Sequence, residues 1–293
     1  MKLNINKSHQ RAFTIVELMI SLTIGLLVSL AAVNLLITNQ KTFNVQKGLG
    51  DVGDNGRFAL EFVAQQIRQA GYTPIDNTLP VLPQIIVATT DMPDAVAAVL
   101  SKDDQVALAA PSAGKQGGID LSDRLTIQYY TPIETRDCEG DTVPANQYVV
   151  ARLFLRADAA AGTGSALACV GGYHSGSGGL TNFDLTDTGG SVLLSSVDNF
   201  QVLLGVADTA AGSKNRPNQY ITVAAYTALP SGTPVAAIKL GLLVSSAERT
   251  DDSAVAPTQA INVLNKAIPA SSIPADKRIR RVFTSTVSFR NVL

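Results

Sequence analysis

Histidine and cysteine are scarce in this chain, two of each in 293 residues, and a closed structural zinc site usually needs four such ligands. Metal chemistry is narrow from the outset. Charge is sparse at 16% and balanced, with 23 basic side chains against 24 acidic ones. A disordered tail or a highly charged assembly factor is excluded, and nothing in the balance calls for nucleic acid or an anionic membrane surface as the main partner. What is present is a 46% hydrophobic content, enough for one large or two ordinary domains with a substantial core.

The amino terminus departs from this average. Residues 1–12 carry Lys2, Lys7 and Arg11 with no acid, and residues 13–37 carry one charge, Glu17. Twenty-five residues of helix reach roughly 37 Å, enough to cross a hydrocarbon core of about 30 Å. The next basic residue is Lys41, so the positive-inside rule puts the amino end in the cytoplasm and the remainder across the membrane. A plain anchor leaves Glu17 without a reason, because an acid within a spanning helix is costly. A secretory signal would use Ser29-Leu30-Ala31 as a small-residue site and cut before Ala32.

The junction Arg11-Ala12-Phe13-Thr14-Ile15-Val16-Glu17-Leu18 supports a third reading. A basic leader meets a small residue, then Phe, then an apolar run with Glu at its fifth position. This resembles the class III signal of type IV pilins and type II secretion pseudopilins, with Ala12 where that family most often has Gly. The resemblance implies cleavage by a prepilin peptidase between Ala12 and Phe13, N-methylation of Phe13, and retention of the apolar segment as an assembly helix. Within a filament, the Glu17 carboxylate would be paired with the new amine of a neighbouring subunit, fixing axial register.

Beyond the apolar run, Gly48, Gly50, Gly53 and Gly56 each cost about 1 kcal/mol against Ala in a helix, so a loosened or broken helix is expected there. Residues 57–70 then place Leu60, Val63, Ile67 and Ala70 on one stripe, with Arg57, Glu61, Gln65 and Arg68 facing out. Gly71 suits a left-handed cap and Pro74 prevents continuation, so the helix ends near Ala70. From Tyr72 onward strands dominate. Residues 124–131, 147–156 and 199–206 alternate as half-buried strands, 235–244 is nearly all apolar, and 280–290 aligns Phe283, Val287 and Phe289. Long polar stretches at 207–219 and 245–278 suggest an antiparallel sheet with elaborated loops.

Catalytic signals are weak. The run 171–179 has five glycines but lacks the Gly-Lys-Ser/Thr ending of a phosphate loop, and it reads as a surface loop. His9 would leave with the leader, so His174 would be alone, and no orienting acid marks Ser175 or Ser177 as a nucleophile. Asp184 and Asp187 lack the dense spacing of a calcium loop. Lys277, Arg278, Arg280 and Arg281 read as a solvated cluster protecting a strand edge. Cys138 and Cys169 are expected to pair in an oxidising periplasm. No enzyme activity, cofactor or metal is expected.

Four later segments resemble PilW-type minor pilins: residues 56–72, ending in Ala-Gly-Tyr; the strands 197–206 and 235–246; and the closing strand 280–293 with Arg290 and Asn291. The implied fold is α+β and pilin-like, a long amino-terminal helix packed at its periplasmic end on an antiparallel sheet. The expected organisation is a leader (1–12), a filament-core helix (13–37), a periplasmic helical region (38–71) and a β-rich head (72–293). The implied function is that of a noncatalytic subunit of a priming or tip complex of the type IV pilus, serving twitching, adhesion or DNA uptake indirectly. Its partners would be other minor pilins, the major pilin, the prepilin peptidase and the inner-membrane assembly platform, with no direct nucleic acid contact. Before assembly it would sit in the inner membrane with its head in the periplasm. A J-type pseudopilin of type II secretion, and a soluble secreted binding domain cleaved near Ala32, are the alternatives.

Overall fold

The computed structural model describes residues 14–72, 85, 122–158, 164–183, 189–207, 216–230, 233–250 and 258–289. The chain divides into two units, Met1–Gln46 and Lys47–Leu293. Helix α1 spans Ile15–Gln69. Its residues in the first unit expose their apolar side chains, from Ile15 at 79% to Ile37 at 44%.

In the second unit α1 is amphipathic and buries Gly48, Val52, Gly56, Ala59, Val63, Ala64 and Ile67. The break expected across Gly48–Gly56 does not form, because tertiary packing outweighs the propensity cost of two of these glycines. A Cβ at Gly48 would lie 3.2 Å from Ile279 Cδ1, and one at Gly56 would lie 2.6 Å from Phe283 Cζ. Both positions let the helix backbone approach the sheet closely. The helix ends as expected: Gly71 has φ +77, and its N–H bonds Gln128 O at 3.2 Å.

The single sheet suggested by the alternating segments resolves into two. The first has the order β1-β4-β5-β6, from Leu125–Thr131, Gln147–Asp158, Gly164–His174 and Ser191–Ser195. The second has the order β12-β9-β7-β8, from Arg280–Ser288, Val235–Ser245, Val197–Ala207 and Pro217–Ile221. All neighbours run antiparallel. Two small hairpins, β2–β3 (Thr135–Arg136, Thr142–Val143) and β10–β11 (Ile261–Val263, Lys266–Ile268), a short helix α2 (Val223–Tyr226) and a 3-10 turn (Ala270–Ser272) complete the described head. The chain passes from the first sheet to the second through Ser196 alone, at φ +62.

One core joins these parts. Val52, Val63 and Ile67 of α1 share a cluster with Leu153 and Leu167 of the first sheet and with Phe200, Leu240 and Leu242 of the second. Two of the alternating strands are not half-buried, as their alternation implied: β1 and β7 are buried at every residue. The outer faces of neighbouring strands β9, β4 and β5 are covered by distant pieces of chain. Val263, Ile268 and Ile273 pack on Leu243 beside β12, and Phe183 packs on Phe154, Ala168 and Val170. Segment 122–123 also clasps the second sheet, since Asp123 N–H donates to Phe200 O at 2.7 Å and Val202 N–H donates to Asp123 Oδ2 at 2.7 Å.

Candidate functional site

The feature that sets this chain apart is the first part of α1. Thr14 begins it, with its hydroxyl accepting the N–H of Glu17 at 3.2 Å, a side-chain cap of the kind that stabilises helix starts. Glu17 therefore lies in the first turn, where the helix dipole favours a negative charge. It is exposed and is the only charged residue between Arg11 and Lys41. The helix contains a window of mean hydropathy 2.3 with none of it buried, long and apolar enough to cross a membrane.

The polar side chains in this stretch do not spoil that property. The hydroxyls of Ser21, Ser29, Thr38 and Thr42 each donate to the carbonyl four residues back at 2.7–3.0 Å, and Thr23 donates to Ile20 O at 2.8 Å. Their hydrogen-bonding needs are met within the helix, as a hydrocarbon environment requires.

The other sequence-derived residues divide by location. Ala12 and Phe13, at the expected cleavage point, lie outside the described residues, as do Asp184, Asp187, Arg290, Asn291 and Pro74. Cys138 and Cys169 form a disulfide with Cα atoms 6.1 Å apart, tying the β2–β3 hairpin to β5. Beside it, the N–H of Gly171 donates to Glu139 Oε2 at 2.8 Å.

Two expectations about the head need correction. The glycine run is not wholly a surface loop: Gly171 to His174 finish β5, and a Cβ at Gly171 would lie 2.5 Å from Asp137 Oδ2. These glycines serve close approach within a strand. His174 is 1% exposed, stacks on Tyr148 with ring centroids 5.2 Å apart, and accepts the Gly176 N–H on Nδ1 at 3.0 Å. Burial pushes its pKa down from 6.5 to about 4, so the ring is neutral. It is a packed core histidine.

Nor is the basic cluster simply solvated. Arg280, with only 4% of its side chain exposed, bonds Asp198 Oδ2 at 2.7 Å and grips both oxygens of Asp276 at 2.8 and 2.7 Å. Burial penalises the Asp276 carboxylate, but the hydrogen bonds and charge of Arg280 outweigh it and hold its pKa below the ordinary value. The sequence carried little sign of this triad, because Asp198 is 82 positions from Arg280. Among the described residues no group of three or more His, Cys, Asp or Glu side chains is placed to hold a metal ion.

Two family profiles match the chain. The prokaryotic N-terminal methylation motif matches residues 7–33, and the family described as Type IV Pilus-assembly protein W matches residues 160–291. The first match defines the class, a protein with a prepilin-type amino terminus. More particularly, residues 160–291 are similar to the PilW-type minor pilins, in accord with the resemblance of the later strands. No curated protein matches it. Among solved structures, a type IV-like pilin from Thermus thermophilus is similar at 12% identity, with 82% of this chain and 95% of that chain covered and a TM-score of 0.38, a loose likeness.

Proposed function

We propose that this chain is a noncatalytic subunit of the priming or tip complex of a type IV pilus. The observation that carries the reading is the joint presence, on one chain, of a prepilin motif at 7–33 and a PilW-type segment at 160–291. A helix whose apolar first part is exposed, followed by a head built from two sheets, suits a subunit that donates its helix to a filament. The head offers the surface for subunit-specific contacts.

In this reading the precursor spans the inner membrane once, with its amino end in the cytoplasm and its head in the periplasm. Prepilin peptidase cuts between Ala12 and Phe13 and methylates the Phe13 amine. Other minor pilins join it, and major pilin is added beneath. Glu17, alone among apolar side chains, pairs with the Phe13 amine of a neighbour and sets the axial register.

Intact mass and amino-terminal sequencing of protein from its native host test the processing step. A mature chain beginning at methylated Phe13 is expected, whereas a start at Ala32 would remove the helix and overturn the reading. Deletion of the gene tests the assembly role. Loss of surface pili is expected, while normal pili with secreted enzymes retained in the periplasm would indicate a secretion pseudopilin instead. Glu17→Ala protein entering pili at wild-type levels would refute the register role.

A further inference from the structure

The edges of the two sheets are not equally protected. β1 ends the first sheet, but its outer side is occupied: Gly71 N–H bonds Gln128 O, Tyr130 N–H bonds Tyr72 O at 2.9 Å, and Ile85 bridges Ile127. β6 and β8 are short edges of 5 residues each, and β8 begins with Pro217. Short strands and prolines are the ordinary means of blunting an edge. β12 is different. It runs 9 residues, Arg280–Ser288, and has neither proline nor any charge after Arg281.

Its hydrogen-bond parity identifies the groups left open. Phe289 N–H bonds Ala236 O at 2.9 Å, and Ser246 N–H bonds Ile279 O at 2.8 Å. In the antiparallel register that pairs Arg280 with Ser245 and Ser288 with Ala237, the odd-numbered residues of β12 therefore direct their backbone groups at β9. The even-numbered ones, Val282, Thr284, Thr286 and Ser288, direct theirs outward. Among the described residues β12 pairs with β9 alone, and Thr284, Thr286 and Ser288 are all exposed. The arginine that begins the strand does not guard it, since Arg280 is turned into its ion pairs with Asp198 and Asp276.

We propose that the open edge of β12 is a docking site for an extended strand from another minor pilin head, joined by backbone hydrogen bonds at residues 282–288. The proposal rests on the pilus reading above. A row of alternate N–H and C=O groups is recognised by another strand's backbone, which fixes the occupant's chemistry. The edge is flanked by Val282, Thr284, Thr286 and Ser288 on one face and by Phe283, Ser285 and Val287 on the other. The matching strand is accordingly uncharged and rich in β-branched residues. An aqueous edge of this length without protection is a liability for a subunit that stays alone, and an asset for one that enters a complex.

Residue-resolved amide exchange on the full chain in detergent, alone and mixed with the purified minor pilins of the same host, tests this. Alone, the amides of Val282, Thr284, Thr286 and Ser288 exchange fast while those of Phe283, Ser285 and Val287 are protected. In the complex the even-numbered amides slow by at least tenfold. Thr284→Pro and Thr286→Pro each remove one outward donor while sparing the ladder to β9, so they keep the thermal midpoint and weaken association at least tenfold. A complex in which the even amides exchange as fast as in the free chain overturns the docking site and leaves the pilus reading standing. Failure to associate with any minor pilin, together with normal pili in the deletion strain, overturns both.

Discussion

The ring of Phe283 lies against the bare backbone of Gly56, close enough that a Cβ added there would sit 2.6 Å from Phe283 Cζ. Gly50 and Gly53, on the same helix, have nothing within 4 Å. Substituting alanine should therefore have opposite signs. Gly50→Ala and Gly53→Ala gain up to about 1 kcal/mol of helix propensity. Gly56→Ala gains the same but overpacks the core at a cost of about 1–3 kcal/mol, for a net loss. Urea midpoints of the three variants check this, and a stabilised Gly56→Ala would refute the packing account.

His174 makes the head sensitive to mild acid. Its folded pKa of about 4 lies below the unfolded value of 6.5, so the unfolded chain takes up a proton that the folded chain refuses. Stability is complete above about pH 6.5, falls as the pH drops toward 4, and loses on the order of 3 kcal/mol across that window. His174→Gln should flatten this part of the profile. Equal pH slopes for the two proteins between pH 6.5 and 4 would remove His174 as the cause.

The triad around Arg280 should show in a comparison of neighbouring arginines. Arg280→Ala leaves Asp198 and Asp276 without their shared cation and should cost about 3–5 kcal/mol. Arg281, an exposed neighbour, should change stability by about 0.5 kcal/mol or less when replaced by Ala. Thermal unfolding of both variants distinguishes them.

Reducing the Cys138–Cys169 bridge should lower stability by about 4 kcal/mol in the chain-entropy view, given a sequence separation of 31. The C138S/C169S pair, measured against wild type with and without reductant, checks the figure. A wild-type midpoint unchanged by complete reduction would contradict it.

These positions also mark how far local sequence could be read. The apolar run and its lone acid are local features, so the long amino-terminal helix was legible residue by residue. The same holds for the strand segments and for Gly71, whose role depends only on its own φ. The glycines of α1 were misread because local propensity counts their cost, whereas Phe283 and Ile279, more than two hundred residues away, supply the compensating contacts. Alternation in β1 suggested one wet face, yet every residue is buried. The pieces that cover such faces, Phe183 over the first sheet and the β10–β11 hairpin over the second, come from loops whose own sequences carry no sign of their destination. The Asp198–Arg280–Asp276 triad failed to show for the same reason.

Ser196, the lone residue between β6 and β7, has a consequence for how the head comes apart. Its carbonyl accepts the N–H of Ser245 at 2.8 Å, so the crossing point is itself pinned to the second sheet. Peeling β6 from the first sheet would pull directly on β7, whose backbone is in turn held by Asp123 at the entry to β1. Neither sheet can be removed as a separate piece. The head should melt in one calorimetric transition, with no surviving half for a protease to trim.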